Sequence, residues 1–302
     1  MLPFPIGITY GTYFLSTILC AMLLGVSCMQ TFSYFTRYVR DDRWLKTVVA
    51  VIFTMNAVQT ALVAHGAYAY LVTHFGDSSF FEVVLPASST GFLLSAIVSV
   101  CVQGIFVVKA QGLSVTRSRV LPLLWIPLAL FELGAAFYCV AKSFESGNNI
   151  FFIASLKGVV VSYLAVMAFV DIAITFFLAK YLRILHRQAM SFALSEMIQR
   201  LIIFSMLSGI WAALFALLDM ITYLGFPNTG VYALFDLPLC SLYYNTFLAS
   251  LNSRDSGSAS SIRELSTFKV ASRPVVISME RGRNSTFSDD RESLCTNDSD
   301  IV

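Results

Sequence analysis

The sequence predicts an all-α, polytopic membrane protein with seven transmembrane helices, and three observations carry that expectation. Hydrophobic residues make up 57% of the 302-residue chain and charged residues 13%, whereas a water-soluble chain is nearer ~45–50% and ~25%. The charge is also unevenly placed, because residues 252–302 hold 15 of the 38 charged side chains. Finally, apolar runs long enough to cross a bilayer recur between clusters of charge, Pro and Gly. A soluble globule could not cover its surface with the 23 charges left to residues 1–251, which excludes secreted enzymes, cytosolic enzymes and nucleic-acid binders.

A transmembrane helix needs about 20 largely apolar residues, and the runs can be taken in order. The first, residues 8–35, has no basic residue before it and is far longer than a signal-peptide core, so it is expected to stay as a helix. The second covers 45–71, the third 90–108, the fourth 121–141 and the fifth 158–179. The sixth (201–224) and seventh (231–251) are joined by Gly225-Phe226-Pro227-Asn228-Thr229-Gly230, a composition that favours chain reversal. Pro122, Pro127 and Pro238 are expected to bend spans four and seven. The loop of residues 75–89 mixes Asp77 and Glu82 with apolar side chains and is expected to lie on the membrane surface or to lid the bundle. Trp44, Tyr10, Tyr70, Phe80 and Phe81 suit an interfacial belt.

Orientation follows from Lys and Arg, which cytoplasmic loops retain. The connections after spans one, three and five carry 11 of them, among them Arg37, Arg43, Lys109, Arg119, Lys180 and Arg200. Seven more lie in the tail, and only Lys142 and Lys157 fall on the opposite side. The N-terminus is therefore expected outside and the C-terminus in the cytosol, in the plasma membrane or an endomembrane. Cys20, Cys28, Cys101, Cys139 and Cys240 fall inside spans, where plain packing is expected.

Ionisable residues in lipid are costly and are the first functional candidates. Glu132 and Asp171 fall near the middle of spans four and five, at the level of Asn56, Gln59 and Gln103. Asp219 and Asp236 flank the turn between the last two spans and should share a depth, with His65 at a similar level. One reading is a polar cavity whose carboxylates bind a proton, a cation or a ligand amine. The other is interhelical hydrogen bonding that holds the bundle together.

Catalytic and cofactor schemes do not fit the residues present. The last span has no lysine for a retinal Schiff base, and the three histidines, His65, His74 and His186, do not make a zinc-ligand set. No intramembrane-protease pattern and no phosphate-binding Gly-rich loop occurs. A non-enzyme with no cofactor and no metal is expected.

From residue 252 the apolar periodicity ends, and 12 serines and three threonines appear among mixed charges. This segment is expected to be a disordered cytoplasmic tail. Its basic first part can lie on anionic lipid, with Ser285 and Ser288 as candidate phosphorylation sites.

Several elements stand out in order. They are Gly25-Val26-Ser27-Cys28-Met29-Gln30-Thr31-Phe32 with Tyr34-Phe35, Asp42-Arg43-Trp44-Leu45-Lys46, His65 with Tyr68 and Tyr70 before Phe75-Gly76, and Arg200-Leu201-Ile202 with Gly209. The closing Tyr244-Asn245-Thr246-Phe247-Leu248-Ala249-Ser250-Leu251-Asn252-Ser253-Arg254 is the most specific. With these, residues 7–254 resemble a large family of seven-helix membrane proteins of mushroom-forming (basidiomycete) fungi, catalogued as a domain of unknown function. The resemblance implies the seven-helix fold and no substrate, activity or ligand.

Odd span number, an outside N-terminus and a serine-rich tail point to a receptor-like sensor, although the acidic-Arg-aromatic triplet and the Asn-Pro-x-x-Tyr signature of familiar receptors are missing. The alternatives are a proton- or cation-coupled carrier using the intramembrane carboxyls, and a scaffold acting through its tail. The expected partners are the lipid bilayer, a small ligand or cation, and cytosolic proteins that bind the tail; nucleic acid is not among them.

Overall fold

A computed structural model of the chain describes residues 6–77, 80, 83–113, 120–147, 155–188, 210–226 and 229–253. Among these the architecture is all-helical. Five long helices come first: α1 (Ile6–Arg37), α2 (Arg43–Tyr68), α3 (Pro86–Leu113), α4 (Val120–Glu145) and α5 (Lys157–Gln188). They are followed by α6 (Ile210–Gly225), a single turn α7 (Ala233–Asp236) and α8 (Leu239–Asn252). The first five are long and apolar enough to span a membrane.

Their outward faces explain the composition. Met22, Met29, Phe32, Leu123, Leu130 and Phe176 are each more than 60% exposed, an apolar surface that water would not support but hydrocarbon does. This is the pattern of an integral membrane protein.

The ends of these helices depart from the sequence expectation in three places. α3 begins at Pro86, four residues ahead of the expected start at Thr90, because proline suits the first helical turn, where its missing N–H loses no partner. Ser88 and Ser89 therefore belong to the helix and not to a loop. α2 continues through a π-helical turn, Ala69–Thr73. The expected seventh span is not one continuous helix: it divides at Leu237-Pro238 into α7 and α8, since Pro238 has no N–H to continue the ladder. The start of the expected sixth span, residues 201–209, and the tail with Ser285 and Ser288 lie outside the described residues.

α8 runs through the middle of the bundle, packed against α1, α2 and α3. Ten of its 14 residues are buried, Tyr244, Phe247 and Leu248 completely, so it has no lipid-facing side in the sense of α1. Its polar side chains form two stripes. Towards α1 and α2, the Ser27 hydroxyl donates to Asn245 Oδ1 (2.7 Å) and receives Asn56 Nδ2 (3.3 Å), while the Ser241 hydroxyl donates to Asn56 Oδ1 (2.8 Å). Asn252 Nδ2 donates to the Gln30 carbonyl (2.9 Å). Towards α3 and α5, Tyr243 donates to Asp171 (2.5 Å) and Lys109 Nζ to the Ser250 hydroxyl (2.8 Å).

Such interhelical hydrogen bonds stabilise membrane bundles by about 0.6 kcal/mol each on average, and Asn56 joins three helices through two of them. Asn56→Leu should lower the unfolding free energy, measured by SDS denaturation in bicelles, by about 1–2 kcal/mol. The exposed Val58→Ala on the same helix should change it by less than about 0.5 kcal/mol. Equal effects of the two would mean that the network contributes nothing.

Candidate functional site

The polar groups expected at mid-span separate into distinct sets. Asn56 belongs to the α1–α2–α8 network just described, and Gln59 lies one turn further along α2, donating through Nε2 to the Leu237 carbonyl at the α7–α8 break (3.1 Å). They do not join Glu132 and Asp171, because α8 stands between α2 and α5. Gln103 does join them. Its Nε2 donates to Glu132 Oε2 (3.4 Å) and its Oε1 accepts from Trp125 Nε1 (3.3 Å). Glu132 is fully buried, and its Oε1 has no hydrogen-bond partner. Beside Gln103 and Asp171 is a cavity of about 20 Å³, also lined by Tyr243 and Thr246, room for about one water molecule.

A larger cavity, about 180 Å³, opens at the end of the bundle where α4 stops, α5 starts and α6 turns into α7. Both acids expected to pair are there: Asp219 from α6 and Asp236 from α7 line it together, close enough to interact electrostatically. Asp219 is only 2% exposed, and its Oδ1 has no hydrogen-bond partner. The wall combines Ser88, Ser89 and Ser143 with Cys139, and Tyr223 and Tyr232 with the apolar Phe92, Val140, Val160 and Leu164. No Lys, Arg or His lines the cavity among the described residues.

The turn that carries Asp236 is held by α1. Gly230 has φ +65°, and a Cβ there would meet Thr9 Cγ2 at 3.0 Å, so both conformation and space favour glycine. Thr9 donates to the Thr229 carbonyl (3.0 Å) and Ser16 to the Ala233 carbonyl (3.0 Å). Tyr223 and Tyr232 meet edge to face at 5.4 Å across the hairpin.

Tyr163 feels both acidic groups. It is buried on α5, 3% exposed, and its hydroxyl lies within electrostatic reach of Glu132, Asp171, Asp219 and Asp236. Nothing in the sequence reading singled it out, because a tyrosine in an apolar helix looks like an anchor or a core residue. The missed signal was its place nearly two turns into α5, on the helix that also carries Asp171. His65 departs from the expectation in the other direction. It is exposed on α2 and absent from the cavity wall. Nine residues beyond Asn56, at about 100° per residue, it points half a turn away from the buried face.

Among the described residues, no group of three or more His, Cys, Asp or Glu converges as a metal-ligand set. What the larger cavity can do is attract positive charge beside an apolar wall. Cys139 reports on this directly. A positively charged aminoethyl thiosulfonate should modify Cys139 in nanodisc-embedded protein about tenfold faster than its negatively charged sulfonatoethyl counterpart, followed by peptide mass spectrometry. Replacing both Asp219 and Asp236 by Asn should remove the preference, and equal rates in the unaltered protein would mean the acids do not face the route of access.

Comparison with known proteins adds a family without a function. Nothing among the curated proteins or the solved structures matches the chain. Residues 167–256, which run from α5 through α8, match the model of a family of unknown function (DUF6534).

Proposed function

We propose that the chain is a seven-span, non-enzymatic membrane protein of fungal type that acts as a receptor-like sensor, with its N-terminus outside and its tail in the cytosol. The single observation that carries this is the cavity holding Asp219 and Asp236. It lies at the end of the bundle that the distribution of Lys and Arg assigns to the outside, where a ligand can enter without crossing lipid. The span count is supported by length: α7 and α8 together rise about 30 Å, enough for the hydrocarbon core. The cytoplasmic face would then comprise the α1–α2, α3–α4 and α5–α6 connections and the serine-rich tail, the surfaces available to cytosolic partners.

A second reading, a proton- or cation-coupled carrier, is favoured by Tyr163. That hydroxyl is in electrostatic reach of both the cavity acids and Glu132 and Asp171, and acidic groups in lipid mark proton and cation routes.

Reconstituted vesicles separate the two. The sensor should pass no more protons or monovalent cations than empty vesicles do. A flux that disappears in Asp219→Asn or Asp236→Asn would establish the carrier instead. Protease added outside intact cells should leave the tail uncut, and cleavage there would reverse the orientation.

A further inference from the structure

The structure assigns the cavity between α3, α4, α5, α6 and α7 a ligand class: a small organic monocation, an ammonium carrying a compact apolar group. This deepens the sensor reading and rests on its placement of the cavity at the outer side.

The lining joins acid to hydrocarbon. Asp219 and Asp236 are in electrostatic reach of each other, with no basic side chain lining the space among the described residues. Asp219 is 98% buried, by its 2% exposure, and its Oδ1 accepts no hydrogen bond among the described residues. A buried carboxyl oxygen is costly to leave without a donor. The ring pair Tyr223–Tyr232 stands beside it, and aromatic faces attract cations. Phe92, Val140, Val160 and Leu164 line the same space with hydrocarbon, beside the hydroxyls of Ser88, Ser89 and Ser143.

Each simpler occupant satisfies one part of the lining and fails another. A hydrated inorganic ion meets the acids but leaves polar water against Phe92 and Leu164. A neutral apolar molecule fills the space and leaves Asp219 Oδ1 unpaired. A divalent metal finds no converging set of three His, Cys, Asp or Glu ligands there among the described residues. An ammonium supplies the N–H donors and the charge, and its carbon part covers the apolar wall.

Volume sets the size. The cavity holds about 180 Å³, slightly more than the ~150 Å³ of an apolar protein cavity that takes up benzene. The ligand therefore has about six to ten non-hydrogen atoms, and for a molecule of this size an affinity of about 0.05–1 mM is expected.

The test uses the full chain in nanodiscs and three probes: benzylamine, its neutral analogue benzyl alcohol, and sodium chloride. Benzylamine should raise the unfolding temperature saturably, and neither benzyl alcohol nor sodium at equal concentration should do so or compete. Asp219→Asn, nearly identical in shape, should weaken benzylamine about thirtyfold or more, as loss of one partner of a buried charged contact does. Where that variant does not fold, Val160→Trp, which keeps both acids and fills the space, should abolish the shift.

Benzyl alcohol binding as tightly as benzylamine would overturn the amine assignment while leaving a ligand cavity in place, and so would sodium competing at millimolar concentration. No shift with benzylamine up to about 10 mM, ten times the weakest affinity expected, would also overturn it. In that case the sensor reading is decided separately, by the flux and tail measurements, which do not use the amine.

Discussion

The fold depends on the enclosure of α8. A helix surrounded by other helices inside a hydrocarbon solvent cannot hand a polar group to water, so each one has to meet a protein partner at a fixed place. Ser241, Asn245 and Asn252 meet α1 and α2, and Tyr243 and Ser250 meet α5 and α3. Tyr243 and Ser250 are spaced by seven residues, about two helical turns, and therefore fall on one face. Asn245 and Asn252 repeat the same interval on another. Two polar stripes set both the rotation of α8 and its height, which apolar packing alone would leave free to slide.

The break at Leu237-Pro238 becomes tolerable through the same rule. Interrupting a helix in lipid frees carbonyls that must find donors. Gln59 of α2 donates to the Leu237 carbonyl at the break, and α1 adds donors to the same segment, Ser16 to the Ala233 carbonyl, which also accepts the Leu237 N–H, and Thr9 to the Thr229 carbonyl. These donors hold a turn whose glycine touches Thr9, and that turn positions Asp236 opposite Asp219. Removing the donors would therefore disturb the cavity before it disturbed the core, because the segment they support carries one of its two acids.

What could be read from the sequence follows from the physics of each feature. The positions of α1 to α5 were visible because the length of a hydrocarbon crossing is fixed and charge marks its ends. The Asp219–Asp236 pair was visible for a related reason: the two acids lie at similar distances from one tight turn, so counting along the chain gives their common depth. Counting does not give rotation about the helix axis. Hence His65, at the right depth, faces outward, and Gln59 meets the α7–α8 break instead of Glu132. In soluble helices the apolar stripe gives the rotation; here both faces are apolar, and only Asn56, Gln59 and Thr60 on α2 mark the buried side. Tyr163, Tyr232 and Cys139 were hidden because their importance lies in which helices adjoin, information held by no single segment.

The buried polar groups also divide by chemistry. The amide and hydroxyl network of Asn56, Ser27, Ser241 and Asn245 is closed on itself, with donors and acceptors paired, and such networks hold a bundle rigid. The carboxyl groups are different: Glu132 Oε1 and Asp219 Oδ1 are buried without a donor. A bundle that needed only stability would be better served there by an amide or an apolar side chain, since an acid without a partner costs more in lipid than either. Gln30, Gln59 and Asn252 also leave one amide oxygen without a partner, so an unfilled acceptor alone is not diagnostic. What separates Asp219 is the space beside it and the second acid across that space. Those two features turn an energetic cost into an opening for a donor that the described residues do not provide.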